Sequence, residues 1–272
     1  HSLVLELVLD ILQLAGEKSA PKILAQEVEY LRKIASAMAE WLSIMSHPDQ
    51  EISFFNDAAI GIAPSPRELI HRANFLSAFK RVALKDKMHY LQNTGYIRMT
   101  NKDVVAFIDI AEVGASYIPG HGHADTLSFE CSLFGNRLIV NSGSSEYGLS
   151  DQRDYERSTA AHSTLEINGL NSSEVWGGFR VGRRAHLSKV SIQDNFVSAQ
   201  HNGYRFLKGS PTHKREFSLT RKQLLITDCI YGPFEWAKVY FHIHPSIRVL
   251  SIDDDRNGFF ELPDGSKQYA KT

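Results

Sequence analysis

The stretch IPGHGHADTLSFECSLFGNRLIVNSG, Ile118 to Gly143, places His121 and His123 two residues apart and follows them with Asp125. Imidazole both carries protons near neutral pH and binds metals. Three readings therefore stand open: surface polars at a strand entry, ligands of a metal, or groups that move a proton. His121 and His123 share parity, so an extended Gly120–Asp125 points both rings to one side. One ring can then serve a metal while its neighbour faces a substrate. A third histidine, His162 in STAAHSTLEING, precedes another strand-like run. His123, His162 and an oxygen donor would make a zinc set with an open position. His242 and His244 in YFHIHP repeat the spacing, and there a structural or surface role is expected.

These residues need elements to hold them, and the chain supplies two kinds. Its first 80 or so residues have helical periodicity. Leu24, Val28, Leu31, Ala35, Met38, Leu42 and Met45 form one apolar stripe, and Leu5, Val8, Leu12 and Ala15 mark an earlier helix that closes near Gly16. His47–Gln50 (HPDQ) ends the long helix with Pro-Asp turn chemistry. SPRELIHRANFLSAF starts another, with Ser65 as N-cap, Pro66 at N1 and Glu68 at N3. Between them ISFFNDAAIGIAP reads as a loop carrying Asn56 and Asp57.

From about Tyr90 the period becomes two. GYIRMT and VVAFIDI read as one hairpin, and TLSFECSL and RLIVNS as another, turning at Gly135-Asn136. That turn pairs Phe134 with Arg137, Cys131 with Val140 and Glu130 with Asn141. Leu127, Phe129, Cys131, Leu133, Leu138 and Val140 then share the core face. Ser128, Glu130, Ser132 and Asn141 fall on the other face, as a solvent-exposed row or the floor of a cleft. STLEIN, AHLSKVSI, FVSAQHN, HKREFSLT, QLLITDCI and AKVYFHIHP are further strands, and PDGSKQYAKT reads as a turn-like end. Many short strands without βαβ alternation predict an α+β chain: a helical segment over 1–85 and a large antiparallel β-sandwich over 86–272.

Composition narrows the function classes. Thirty basic against 31 acidic residues give a net charge of −1, which excludes a general electrostatic bias toward nucleic acid. The run Arg180-Val-Gly-Arg183-Arg184 is a solvated face or a local contact for an anion. Cys131 sits in an alternating apolar pattern and is expected as a buried free thiol, not a disulfide partner of Cys229. No apolar run reaches the ~18 residues of a membrane span. Glu6 and Asp10 make the N-terminus an amphipathic helix, not a signal peptide. The chain opens on a helical pattern without an initiator Met, as a piece of a longer protein would.

HGHADTLSFECSLFGNRLIVNSG, followed by YERSTAAHSTLEINGLNSSEVWGGFRVGRRA, resembles the signature of the heparinase II/III-like polysaccharide lyases. The upstream FFNDAAIGIAPSP resembles the close of that family's helical domain. The resemblance implies the end of an (α/α) toroid followed by a β-sandwich, and β-elimination on an acidic, uronate-containing polysaccharide such as heparin, heparan sulfate or alginate. It implies His123 and His162 as metal ligands and His121 as the catalytic, substrate-facing histidine. The third ligand, an Asp in the family, falls on Asn141, so a Zn²⁺ or other divalent ion has a weaker donor here. Tyr155, with Tyr147 as competitor, matches the sandwich-side tyrosine. Arg153 and Arg157 suit carboxylate or sulfate contacts, as surface arginines would also be placed. Asn56 and Asp57 reach the cleft from the helical side or cap their loop. The family's main acid/base tyrosine and the residue neutralising the uronate would lie upstream of His1. A periplasmic or secreted bacterial location is implied, with the cytoplasm left open. Two other classes fit the same residues: a non-catalytic carbohydrate-binding sandwich, and a cupin-type metal-dependent enzyme.

Overall fold

The computed structural model describes residues 1–16, 25–76, 78–79, 84, 88–253 and 257–271. Leu24 of the apolar stripe and the division expected at 85/86 lie outside them. Three helices open the chain: α1 (Ser2–Ala15), α2 (Ala25–Met45) and α3 (Pro66–Phe75). Their apolar stripes meet in one cluster of Leu5, Leu9, Leu12, Ala35, Ala39, Leu42, Leu69 and Ala73. Helix α3 starts where its sequence says, because Ser65 and Glu68 close a capping box around Pro66. It ends at Phe75, with Leu76, which the pattern included, as its C-cap.

The strands follow in sequence order. β1 (His89–Leu91), β2 (Tyr96–Thr100), β3 (Val104–Asp109), β4 (Phe129–Leu133) and β5 (Asn136–Ile139) form an antiparallel meander. Helix α4 (Asp151–Glu156) and β6 (Leu165–Ile167) come next, then a two-stranded ribbon of β7 (Val175–Trp176) and β8 (Arg180–Val181). β9 (Leu187–Gln193), β10 (Phe196–His201), β11 (Thr212–Leu219) and β12 (Leu224–Tyr231) make a second antiparallel sheet, ordered β12-β11-β10-β9. β13 (Ala237–Val239) pairs with β6, and β14 (Arg248–Ile252), β15 (Gly258–Glu261) and β16 (Lys267–Ala270) form a small third sheet. Ile97, Met99, Ala106, Ile108, Phe129, Cys131 and Ile139 of the meander pack against Val197, Ala199, Phe217 and Leu219 of the second sheet. The fold is therefore α+β, a helical part followed by an antiparallel β-sandwich.

Three details correct the sequence reading. The β4–β5 turn is Phe134-Gly135, both at positive φ (49° and 82°), as a type I′ turn requires. Leu133 thus pairs with Asn136, and a bulge brings Cys131 opposite Ile139 in place of Val140. Lys267–Ala270 is a strand. Of AKVYFHIHP, only Ala237–Val239 forms a strand.

The polar outer row of the second hairpin is neither solvated nor a cleft floor. Glu130 and Ser132 are fully buried beneath the helical part. His47, just past α2, places Nδ1 2.7 Å from Ser132 Oγ and Nε2 2.8 Å from Glu130 Oε2. Glu130 Oε1 accepts the backbone N–H of Phe54 and of Asn141, 2.9 Å each. Arg137 pairs with Asp49 at 2.7 Å and donates to the carbonyl of Ile52. A buried carboxylate is stable only when its lone pairs are occupied. Those partners come from both halves, which locks the Asn56–Asp57 loop onto the sandwich.

Candidate functional site

Asp57 is the hub of the candidate site. Its carboxylate, reached from the helical side, accepts from His121 Nδ1 (2.6 Å), His123 Nε2 (2.8 Å) and Ser144 Oγ (3.0 Å). Arg153 grips both carboxylate oxygens, with Nη2 2.9 Å from Oδ2. Burial pushes this carboxyl up, but the hydrogen bonds from His123, Arg153 and His121 more than offset it and hold it well below the usual aspartate value. The turn around Gly143 brings Ser144 into place. With φ +67° and the Ala58 carbonyl 2.8 Å from where a Cβ would stand, position 143 has no room for a side chain.

Gly120–Asp125 is not a strand: the chain turns at Gly120–His121, where Gly122 N–H donates to the Pro119 carbonyl at 2.8 Å, and bends at Ala124. Both rings of the HxH pair nevertheless reach one carboxylate. Their environments differ: the His121 side chain is 72% exposed, whereas that of His123 is fully buried. Because ionised Asp57 can only accept, His121 carries its hydrogen on Nδ1 and leaves Nε2 with a free lone pair. Around His121 stand Tyr147 and Phe179, stacked on each other at 5.8 Å, with the Arg153 guanidinium 5.2 Å and 5.4 Å from their ring centres.

His123 Nδ1 lies 3.2 Å from His162 Nε2, and His162 Nδ1 donates to the Ser158 carbonyl at 2.7 Å. His162 therefore accepts from His123. Burial first, then the charge of neighbouring His123, hold His162 well below the ordinary histidine value. The spacing of the two nitrogens resembles the roughly 3.3 Å expected between two imidazoles on one tetrahedral zinc. The third position does not fit a metal. Asn141 is buried, its Oδ1 accepts the Ser163 N–H at 3.1 Å, and its Nδ2 is left without a partner. An amide NH₂ is a donor and cannot ligate a cation. Among the described residues, no three His, Cys, Asp or Glu side chains gather where they could hold one.

The other residues singled out in the sequence distribute as follows. Arg153 and Arg157 are both fully buried. Beyond Asp57, Arg153 donates to Ser144 and the Gly178 carbonyl, and Arg157 to the carbonyls of Gly122, Trp176 and Arg180. Neither side chain is exposed to solvent. Asn56, at φ +54°, donates to the Tyr96 hydroxyl at 2.8 Å and holds the loop. Tyr155 stands half-exposed on α4, outside the hydrogen-bonded cluster. Tyr147 is the tyrosine beside His121, its hydroxyl 3.3 Å from the Asp57 carbonyl. Asp125 is buried, with one carboxylate oxygen unpartnered. Burial pushes its carboxyl up to about 6, against the opposing pull of His123. His242 binds the Ala160 carbonyl and His244 binds Ser246, both structural. Arg183 and Arg184 bind loop carbonyls, while Arg180 is exposed. Both cysteines are free, and Cys131 is buried. Among the described residues, no helix is long and apolar enough to cross a membrane.

Sequence reasoning missed Ser144, Ser158 and Phe179, and the buried pairing of His47 with Glu130. Phe179 had a signal, since it lies between glycines and the basic run; His47 and Ser132 join across 85 residues and had none.

Solved structures share this architecture. A heparinase III, the BT4657 gene product, superposes with a TM-score of 0.70 at 18% identity, over 99% of this chain and 43% of its own. The heparan sulfate lyase HepC of Pedobacter heparinus gives 0.66 at 17% identity, over 100% and 43%. Another crystal structure of heparinase III gives 0.65 at 15% identity, over 98% and 49%. The chain thus spans less than half the length of these structures, and at such identity the likeness is one of fold. No curated protein matches the sequence. Residues 84–271 match the family described as heparinase II/III-like, C-terminal, and on that match the chain belongs to the heparinase II/III-like family.

Proposed function

We propose that the protein is a polysaccharide lyase acting on a uronate-containing acidic polysaccharide, and that these residues supply the sandwich side of its cleft. The observation that supports this reading is the Asp57–His121 pair. A buried carboxylate sets the tautomer of an exposed imidazole whose free Nε2 stands beside an aromatic platform. That arrangement suits a general base.

In β-elimination the base takes the C5 proton of the uronate. The C5–H electrons become the C4=C5 double bond, and the C4–O4 bond breaks with its electrons on O4, which takes up a proton. His121 Nε2 is assigned the C5 proton. Tyr147 and Phe179 are assigned to stack against the sugar ring, and Tyr155, half-exposed on α4, is assigned as a further substrate contact. Arg153 and Arg157 act through the residues they hold, Asp57 and the Gly122 turn. Asn56 fixes the same loop from the helical side. The proposed location is the periplasm or outside of a bacterium, where such polymers are met.

A second reading, a non-catalytic carbohydrate-binding sandwich, draws on the buried state of both arginines and on the exposed platform. Incubation with heparin, heparan sulfate and alginate, followed by ultraviolet absorbance of unsaturated uronate, separates the two. The lyase reading expects absorbance to grow, and to slow about 10²–10⁴-fold in His121→Ala. Binding in affinity electrophoresis without absorbance would favour the second reading. Neither binding nor absorbance with any polymer would sink both.

A further inference from the structure

We propose that Asn141 closes this histidine pair to divalent metal, and that hydrogen bonds alone hold the two loops a metal would otherwise bridge. The inference rests on the geometry of the pair and does not depend on the lyase reading. Amide orientation is decided by the neighbour. The Ser163 N–H can only donate, so Oδ1 must face it, 3.1 Å away. Turning the amide over would set an NH₂ group against that N–H. The atom left over is Nδ2, buried and unpartnered. A carboxylate at this position would offer its second oxygen there as an anionic ligand, whereas the amide offers a hydrogen. Two imidazoles remain, one donor short of a closed three-ligand set.

The carboxylate nearest the pair is no substitute. Asp57 binds the far nitrogen of His123, Nε2, and is already paired with Arg153, His121 and Ser144. A dication beside this cluster would also face the buried Arg153 guanidinium.

The loops meanwhile have other fastenings. Ala124 N–H donates to the Arg157 carbonyl at 2.9 Å, and Thr159 Oγ1 donates to the Ala124 carbonyl at 2.8 Å. Thr164 Oγ1 reaches the Thr126 carbonyl at 3.1 Å. From the second sheet, fully buried Arg215 sends Nη1 to the Leu127 carbonyl (3.0 Å) and the Ser163 carbonyl (2.7 Å). Leu127 and Ser163 each follow their site histidine closely in the chain. Asp228 balances this guanidinium by accepting two hydrogen bonds, from Nε at 2.7 Å and from Nη2 at 3.0 Å. One paired cation thus ties together the two segments that a shared metal would tie.

The test is zinc content and zinc affinity of the full chain, freed of any histidine tag. Elemental analysis after dialysis against Zn²⁺ and calorimetric titration with Zn²⁺ provide the two readings. Wild type is expected to retain almost none. Asn141→Asp should gain about one equivalent, with affinity up by at least about a hundredfold, more than altering a ligand's hydrogen-bond partner produces. His162→Ala in the Asn141→Asp background should abolish the gain. Wild type holding about one equivalent that His162→Ala removes would overturn the proposal. A folded Asn141→Asp that gains no zinc would overturn the assignment of Asn141 as the cause. Should Asn141→Asp fail to fold, wild type and His162→Ala decide the matter alone. No substrate enters these measurements, so their failure and that of the lyase reading are told apart.

Discussion

Replacing Asp57 by alanine removes the acceptor on which four side chains converge, and the cost can be worked from their burial. Arg153 has no exposed side chain, and Asp57 is its carboxylate partner. Leaving one member of a buried ion pair alone costs about 3–5 kcal/mol. His121 adds little, because its side chain is 72% exposed and screened by solvent. The Ser144 bond adds about 1 kcal/mol. The expected loss is therefore about 4–6 kcal/mol, dominated by Arg153, and the lost acceptor of buried His123 adds to it.

Urea unfolding followed by circular dichroism measures this loss. A double-mutant cycle with Arg153→Met isolates the pair, with an expected coupling of about 2 kcal/mol. The sign of the pH dependence follows from the depressed carboxyl. A group whose folded pKa lies below its unfolded value stabilises above the unfolded value, about 3.9, and loses that contribution as pH falls through the folded one. The gap between wild type and Asp57→Ala should hold above about pH 5 and narrow as pH drops below about 4. A loss below about 1 kcal/mol, or strict additivity with Arg153→Met, would refute the hub.

Two further expectations concern the framework. Arg215→Met leaves half-buried Asp228 with His213 but without its guanidinium, and two loop carbonyls without a donor, at a cost of about 3 kcal/mol in urea unfolding. A loss no larger than that of an exposed arginine such as Arg180 would show that the clamp is idle. Burial also depresses His47, His162, His201 and His213. Unfolding then takes up protons below about pH 6.5, so stability should fall from pH 7 to 5 by up to about 1.4 kcal/mol per pH unit for each histidine. Urea midpoints at pH 5, 6 and 7 test this, and a flat profile would contradict it.

Local physics was legible in the chain itself. The stripe from Val28 to Met45 and the Ser65–Glu68 box declare their helices, because periodicity and capping are decided by neighbours within a turn or two. The alternation in β4, β10 and β11 declares strands for the same reason. The spacing of His121 and His123 singled out two rings that the fold brings to one carboxylate. Which groups meet was a matter of tertiary structure, since hydrogen bonds across 66 or 96 residues leave no trace in local pattern. Asp57 became a hub only once the helical part seated on the hairpin face, where Glu130 draws in the Phe54 and Asn141 amides. Arg153 and Arg157, which the sequence left as substrate contacts or surface arginines, are turned inward, because a buried carboxylate and unpaired loop carbonyls require donors. The register of β4–β5 shifted by a residue, because Phe134 and Gly135 accept the two left-handed positions of the turn. Chain chemistry named the candidates, and the packing of the two halves decided which of them face each other and which face solvent.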